Sequence, residues 1–448
     1  MLITNATVIT WEDPNRIIRN GAIAVRSGKI LEAGPMTAMQ EKYKGEEVLD
    51  AQGCIVLPGN ICAHTHFYGA FARGMAIPGE APKGFVEILE KLWWPLDRSL
   101  NKEAVKYSAL VCQVDAIRHG TTTLIDHHAS PNALEGSLDE IRKTVDTSGL
   151  RVAMSYEVTD RDGMEKAEAG IAENVRFIRE LRKEPNPLVR ATFGLHASLT
   201  LSDETLRKAR EACPADIGMH IHVAEGLADE EDSLRKSKLR VVNRLNQHGI
   251  LNEHAILAHA VHVDDEEMDL INRSGAWVTH QPRSNMNNAV GLPRIEKMMD
   301  MGIKVGLGND GFSNAMWEEW KAAYLSHKLV HLDPRRMGAD KVARMAIYNN
   351  ARLVSRLFEQ PVGSITPGAQ ADLIIVDYKP FTEMTPGNLP WHIVFGFHES
   401  MIQTTLVAGK VLMKDHSIRT LDEYKIASEA MRVSKEIWKY YQVNSKRG

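Results

Sequence analysis

Seven short stretches of the chain end in side chains able to hold a metal ion or move a proton. His64-Thr65-His66 sets two imidazoles two residues apart, and His220-Ile221-His222 repeats that spacing with Glu225 just beyond. His196, His259 and His280 each follow an apolar run, His127-His128 follow another, and Asp310 sits in Gly308-Asn309-Asp310-Gly311. Alternate residues of a β-strand point the same way, so an H-x-H pair at a strand end can present both rings to one cation. Imidazole with carboxylate suits a zinc-, iron- or manganese-type ion. A single histidine is more often a hydrogen-bonded structural residue. It is the whole set, at one strand end after another, that points to chemistry.

These residues need a frame that gathers strand ends. Strand-like runs fall at Ile55–Ala63, Thr121–Asp126, Arg151–Tyr156, Val189–Leu195, Gly218–Val223, Ala255–Ala258, Trp277–Thr279 and Val305–Gly308. Amphipathic helical stretches such as Lys102–His119, Glu165–Glu184, Asp203–Ala212 and Asp264–Ser274 separate most of them. Eight alternating β and α units predict an α/β fold, a (β/α)8 TIM-like barrel whose C-terminal strand ends form the active face; an open sheet of six to eight strands would read similarly. The beginning of the chain reads as β: Leu2–Thr10, Gly21–Arg26, Lys29–Ala33 and Glu47–Ala51, with Asn20-Gly21 and Ser27-Gly28 as hairpin turns. Ala371–Tyr378 and Gln403–Met413 are again strand-like. The expected division is therefore a small β-sandwich domain from residues 1–56 plus 360–420, a barrel from 57–359, and a C-terminal helix from 421–448 with a solvated charged face.

The totals narrow the partners. A formal charge of −4, with 44% hydrophobic and 25% charged residues, describes a globular chain with no attraction for nucleic acid. No run reaches the ~18 apolar residues of a membrane helix, and the N-terminus has no signal-like basic and apolar regions. Cys54, Cys62, Cys112 and Cys213 show no CxxC spacing, so reduced thiols and a cytoplasmic location are expected, with no membrane partner.

The motifs carry a resemblance that covers nearly the whole chain. His64-Thr65-His66, His220-Ile221-His222-x-x-Glu225, His259 and Gly308-Asn309-Asp310-Gly311 resemble the amidohydrolase superfamily, in its branch of cytosine deaminases, chlorohydrolases and S-adenosylhomocysteine deaminases. Pro58-Gly59, Arg73-Gly74, Gly120-Thr121-Thr122-Thr123 and the Val362–Leu373 segment fit that branch, and Cys62–Pro82 is similar to SsnA-type aminohydrolases. The resemblance implies that His64, His66, His222 and Asp310 hold one divalent ion, with zinc expected and iron or manganese as alternatives. The branch lacks the carboxylated lysine that bridges two metals, and here His196 stands where that lysine would. A zinc-type cation lowers the pKa of its bound water toward ~7, making hydroxide available at neutral pH.

By the same resemblance Asp310 holds the attacking water, Glu225 gives a proton to the substrate's ring nitrogen, and His259 orients or polarises the reacting oxygen. His196 resembles the branch's substrate-contacting histidine, although Gly194-Leu195-His196-Ala197-Ser198 replaces the usual His-Ser-Pro. Arg283, in His280-Gln281-Pro282-Arg283-Ser284-Asn285, is a candidate for an anionic or carbonyl-rich substrate, with a structural salt bridge as the alternative. His128 is a candidate pocket residue, and Trp93, among Phe67, Tyr68, Phe71 and Trp94, a candidate stacking platform. The expected activity is deamination of a purine- or pyrimidine-like heterocycle, with purine catabolism as a pointer. Expulsion of another leaving group, or opening of a cyclic C–N bond, would use the same residues. An interaction protein on the same scaffold would be expected to have lost ligands, and this chain keeps all of them. The branch implies a homodimer or a higher homo-oligomer.

Overall fold

Gly59 divides the first predicted strand in two. Ile55–Pro58 pairs antiparallel with Leu373–Val376, whereas Asn60–Thr65 starts a different, parallel sheet. A Cβ at position 59 would meet the Thr122 side chain at 2.2 Å, so only glycine lets the chain cross there. The computed structural model describes residues 1–444.

Eight parallel strands carry the candidate residues: β1 (Asn60–Thr65), β2 (Thr121–His128), β3 (Arg151–Tyr156), β4 (Phe193–Ala197), β5 (Met219–Val223), β6 (Ile256–His259), β7 (Trp277–His280) and β8 (Lys304–Leu307). β1, β2 and β3 form one sheet, completed by the short strand Val189–Ala191. β4 to β8 form a second sheet in chain order. Two bridging pairs join their edges, Thr65 with Asp310 and Val158 with Leu195. Along β5 the expected period of two is visible: Met219, Ile221 and Val223 lie in the main apolar core, and His220 and His222 alternate with them.

Helices pack between the strands close to where the sequence predicts them, at Lys102–Arg118, Met164–Lys183, Asp203–Ala212 and Asp265–Ser274. Three of these starts are set by side-chain caps. Asn101 accepts from the Ala104 amide, Ser202 from Thr205, and Asp264 forms a reciprocal capping box with Glu267.

Segments from both ends of the chain share one nine-stranded sheet. Leu2–Ile9, Ile17–Arg26, Lys29–Pro35, Val48–Asp50 and Ile55–Pro58 meet Leu373–Val376, Ile402–Val407, Lys410–Lys414 and Ser417–Ile418. Ile3, Val8, Ile23, Val56, Leu373 and Leu406 form its apolar core. Ser27-Gly28 makes the expected turn, both residues having positive φ. Asn20-Gly21 does not: it lies inside Ile17–Arg26, where the pairing with Leu2–Ile9 shifts register.

The C-terminal helix, Glu423–Asn444, buries Ala430, Val433, Ile437 and Tyr441 against Tyr68, Phe71, Leu96 and Leu100. Trp438 Nε1 donates to the Phe71 carbonyl at 2.9 Å. The helix thus braces the loop after β1 as well as offering a charged face to solvent; positions 445–448 of its expected span lie outside the described residues.

Candidate active site

The bridging pair at the first seam builds half of the site. The His66 amide donates to the Asp310 carbonyl at 3.0 Å, the Asp310 amide to the His64 carbonyl at 3.1 Å, and Thr65 Oγ1 to the Asp310 carbonyl at 3.0 Å. The Asp310 carboxylate is therefore held beside both rings of the H-x-H pair. Gly308 permits this closeness, since a Cβ there would lie 2.8 Å from the His64 amide nitrogen and carbonyl oxygen. Asp310 (φ 59°) and His259 (φ 72°) both adopt the left-handed region that non-glycine residues avoid, a strain typical of residues held for function.

Hydrogen bonds on the far side of each ring decide which nitrogen faces the centre. His66 Nδ1 donates to the His127 carbonyl (2.6 Å), His222 Nδ1 to the His196 carbonyl (2.8 Å), and His259 Nδ1 to Asn285 Oδ1 (2.8 Å). A carbonyl oxygen only accepts, so each Nδ1 carries the proton and each Nε2 turns a lone pair inward. His64 Nδ1 contacts His220 Nε2 at 2.9 Å, which leaves its Nε2 without a hydrogen-bond partner. The Nε2 atoms of His66 and His222 stand 3.1 Å apart, and Asp310 Oδ1 lies 2.9 Å from His66 Nε2 and 3.4 Å from His64 Nε2. Ligand atoms of His64, His222, His259 and Asp310 all fall within 4.8 Å of one another, as do those of His64, His66, His127 and His222. Converging lone pairs with a carboxylate among them repel unless a cation is shared, so this donor set fits a divalent metal ion.

Burial governs the ionisation of the centre. It pushes His64, His222 and His259 below the usual imidazole range, keeping them neutral. His66 feels the same burial, but the carboxylates of Asp310 and Glu157 outweigh it and raise its pKa. Burial would raise Asp310 too, yet the neighbouring His64 and His66 rings hold it well below the carboxylate range. Glu225 goes the other way: burial and the Asp310 charge raise it. Its Oε2 lies 3.5 Å from His259 Nε2, and its Oε1 accepts from Asn288 Nδ2 at 3.2 Å. Asn288 in turn contacts Ser284 Oγ, which donates to Asp310 Oδ2 at 2.5 Å. The segment after β7 thus positions Asp310, Glu225 and His259 together.

A cavity opens onto these groups, lined by His66, His196, His222, Glu225 and Asp310 and walled by Tyr68, Phe85, Leu89, Trp93, Trp94 and Leu199. Trp93 and His196 thus both line the cavity; His196 is fixed by Thr200 Oγ1, 2.7 Å from its Nδ1. Two candidates do not reach the cavity. Arg283 is spent elsewhere, pairing with Glu319 and Glu318 and donating to Ser313 and the Ala315 carbonyl. His128 is fully buried beside Tyr68 and Tyr156 with its Nε2 on Ser130 Oγ, and it is not among the residues lining the cavity. His220 supports His64, His127 stacks on His220 with ring centroids 4.4 Å apart, and His280 contacts His327.

Sequence reasoning missed Ser284, Asn285 and Asn288, which contact no metal-type atom except through Asp310, Glu225 and His259. It also missed Glu157, which follows β3 as Asp310 follows β8; that position was the available signal. Glu157 is buried, with its Oε1 3.1 Å from His66 Nδ1 and 3.4 Å from His127 Nδ1. Burial would raise its pKa, but the neighbouring His66 holds it down to about 2.

The sequence profile of the Amidohydrolase family matches residues 55–412, and the chain belongs to that family. It is a metal-dependent hydrolase acting on C–N bonds other than peptide bonds, an aminohydrolase of nitrogen heterocycles. A 5′-deoxyadenosine deaminase of Methanosarcina mazei is 33% identical over 443 residues, covering 98% of each chain. A 5-methylthioadenosine/S-adenosylhomocysteine deaminase of Pelotomaculum thermopropionicum is 30% identical over 439 residues, covering 96% of this chain and 97% of its own. The fold is shared with a zinc-bound adenosine deaminase of Xanthomonas campestris, with a TM-score of 0.86, 22% identity, and 97% and 98% of the two chains covered. Among the described residues, no helix is long and apolar enough to cross a membrane.

Proposed function

We propose that the protein deaminates the adenine ring of a nucleoside of the 5′-deoxyadenosine and 5′-methylthioadenosine class. The observation that carries this reading is Glu225, a buried carboxyl whose pKa is raised, held by Asn288 beside the converging Nε2 atoms in an aromatic-walled cavity. Purine-nucleoside deaminases matching the whole chain at 30–33% identity support the choice of ring.

In this reading His64, His66, His222 and Asp310 hold one divalent ion, with zinc the first expectation. When bound, the ion supplies hydroxide from water at neutral pH and acts as a Lewis acid. Asp310, steadied by Ser284, accepts the proton of the attacking water. Glu225 protonates the ring nitrogen next to the attacked carbon, so the C–N π electrons have a neutral destination. His259, its Nδ1 locked on Asn285, directs Nε2 at the reacting oxygen. The proton held by Asp310 then passes to the amino group, ammonia leaves, and the remaining hydroxyl proton returns to Glu225 as the ring carbonyl forms. Trp93 flanks the ring and His196 contacts the substrate beyond it.

The two parallel sheets, bridged at both seams, are taken as one (β/α)8 barrel, and the nine-stranded sheet as the sandwich-like domain built from both termini. Cys62–Pro82 aligns the chain with SsnA-type aminohydrolases, and an adenine-type substrate suits purine catabolism in the cytoplasm by a homo-oligomer. The test is metal content by elemental analysis followed by ammonia release from 5′-deoxyadenosine, 5′-methylthioadenosine, adenosine, guanine and cytosine. Ammonia from the adenine nucleosides alone is the expected result. Release from cytosine or guanine but from no adenosine overturns the substrate class, and metal without ammonia from any of them moves the reading to ring opening or another leaving group.

A further inference from the structure

Glu157, just beyond the end of β3, is a buried carboxylate to which the proposed mechanism gives no part. Its position is fixed by backbone at the second seam. The Glu157 amide donates to the His128 carbonyl (2.8 Å), Val158 N to the Gly194 carbonyl (3.2 Å), and His196 N to the Val158 carbonyl (2.9 Å). The side chain is 1% exposed, and neither of its oxygens has an aligned hydrogen bond. What surrounds it is imidazole: His66 Nδ1 at 3.1 Å and His127 Nδ1 at 3.4 Å from Oε1, and His196 Nε2 at 3.9 Å from Oε2. A carboxylate stripped of water and of hydrogen bonds is costly unless a positive charge compensates it.

We propose that Glu157 is a positioning residue for the metal centre, holding His66 with its Nδ1 protonated and its Nε2 lone pair inward, and supplying a second negative charge behind the ligand shell. This rests on the ligand set proposed above. Three imidazoles, each neutral when it ligates, and the Asp310 carboxylate would leave a divalent ion with uncompensated positive charge; Glu157, one ring away, faces that charge through His66. The His127 carbonyl also accepts from His66 Nδ1, at 2.6 Å, and so fixes the direction of the ring. It is neutral, however, and cannot provide the charge. Carboxylate behind a ligating imidazole raises the ligand's basicity, and loss of such a partner typically weakens metal affinity by about 10–100-fold.

The experiment is zinc affinity, measured by competition with a chromophoric chelator, in the full-length parent and in Glu157→Gln and Glu157→Asp. Glutamine keeps the volume and removes the charge; aspartate keeps the charge. Native circular dichroism with zinc bound about 10–100-fold more weakly by E157Q, and part of that loss recovered by E157D, is the expected result. E157Q that binds zinc as tightly as the parent overturns the proposal. If E157Q does not fold, Glu157→Met, which fills a similar volume without the charge, takes its place: zinc bound about 10–100-fold more weakly supports the proposal, and zinc bound as tightly as by the parent overturns it. A parent that binds no zinc at all would instead sink the ligand assignment, so the two failures are distinguishable.

Discussion

Two buried polar clusters meet at adjacent residues, Arg283 and Ser284. On the Arg283 side every donor is engaged, by Glu318, Glu319, Ser313 and the Ala315 carbonyl. On the Ser284 side the chain leads through Asp310 into a cluster where His64 Nε2, His259 Nε2, both ring nitrogens of His127 and both oxygens of Glu157 lack hydrogen-bond partners. Folding alone completes the first cluster. Buried polar atoms are nearly always paired in native proteins, so the second contains atoms whose partners arrive from outside. Similar residue types serve scaffold in one place and chemistry in the other, and what separates them is how far the protein itself satisfies them.

Breaking the open cluster should have the largest effect. His64→Ala is expected to take metal content from roughly one ion per chain to none, read by elemental analysis, with activity lost and the fold retained by circular dichroism. Glu225→Gln should keep the metal and lower kcat by about 10²–10⁴-fold; normal turnover would remove Glu225 from the proton path. Breaking the closed cluster should act on stability instead. Arg283→Met leaves Glu319 buried without its cation and should cost about 3–5 kcal/mol of unfolding free energy, measured by urea denaturation, with metal content unchanged. A loss of metal in R283M with unchanged stability would erase the contrast between the clusters.

The smallest expected effect sharpens it. Burial and the Asp310 charge raise the Glu225 pKa above its ordinary 4.5, whereas the Asn288 bond lowers it. An acid must be protonated to donate, so kcat should fall as pH rises through the raised value. Asn288→Ala removes the lowering contact, so the alkaline limb of the pH–rate profile should move to higher pH. A shift to lower pH would contradict the assignment of that limb to Glu225.

The donor residues were legible because strand periodicity and position at strand ends are local properties. His64, His66, His196, His222, His259 and Asp310 all stand at or just beyond the ends of parallel strands, where an alternating β and α pattern predicts them. Arg283 and His128 were misread because residue type says what a side chain can do and not what it already does. Glu318 and Glu319 lie 35 and 36 positions from Arg283 and consume its guanidinium. His128 shares a strand end with His127, but Tyr68 and Tyr156 close over it.

The sequence by itself determined the element types, the family and which candidate donor and acid residues fall at strand ends, because these depend on composition, spacing and period within single segments. Only the tertiary structure decided which nitrogen each ring turns inward, which buried groups remain unpaired, and that Glu157 stands behind His66. Those outcomes depend on carbonyls and carboxylates brought together from distant segments: His127 behind His66, His196 behind His222, Asn285 behind His259. No local pattern encodes such meetings, because they come into being only when the strand ends converge.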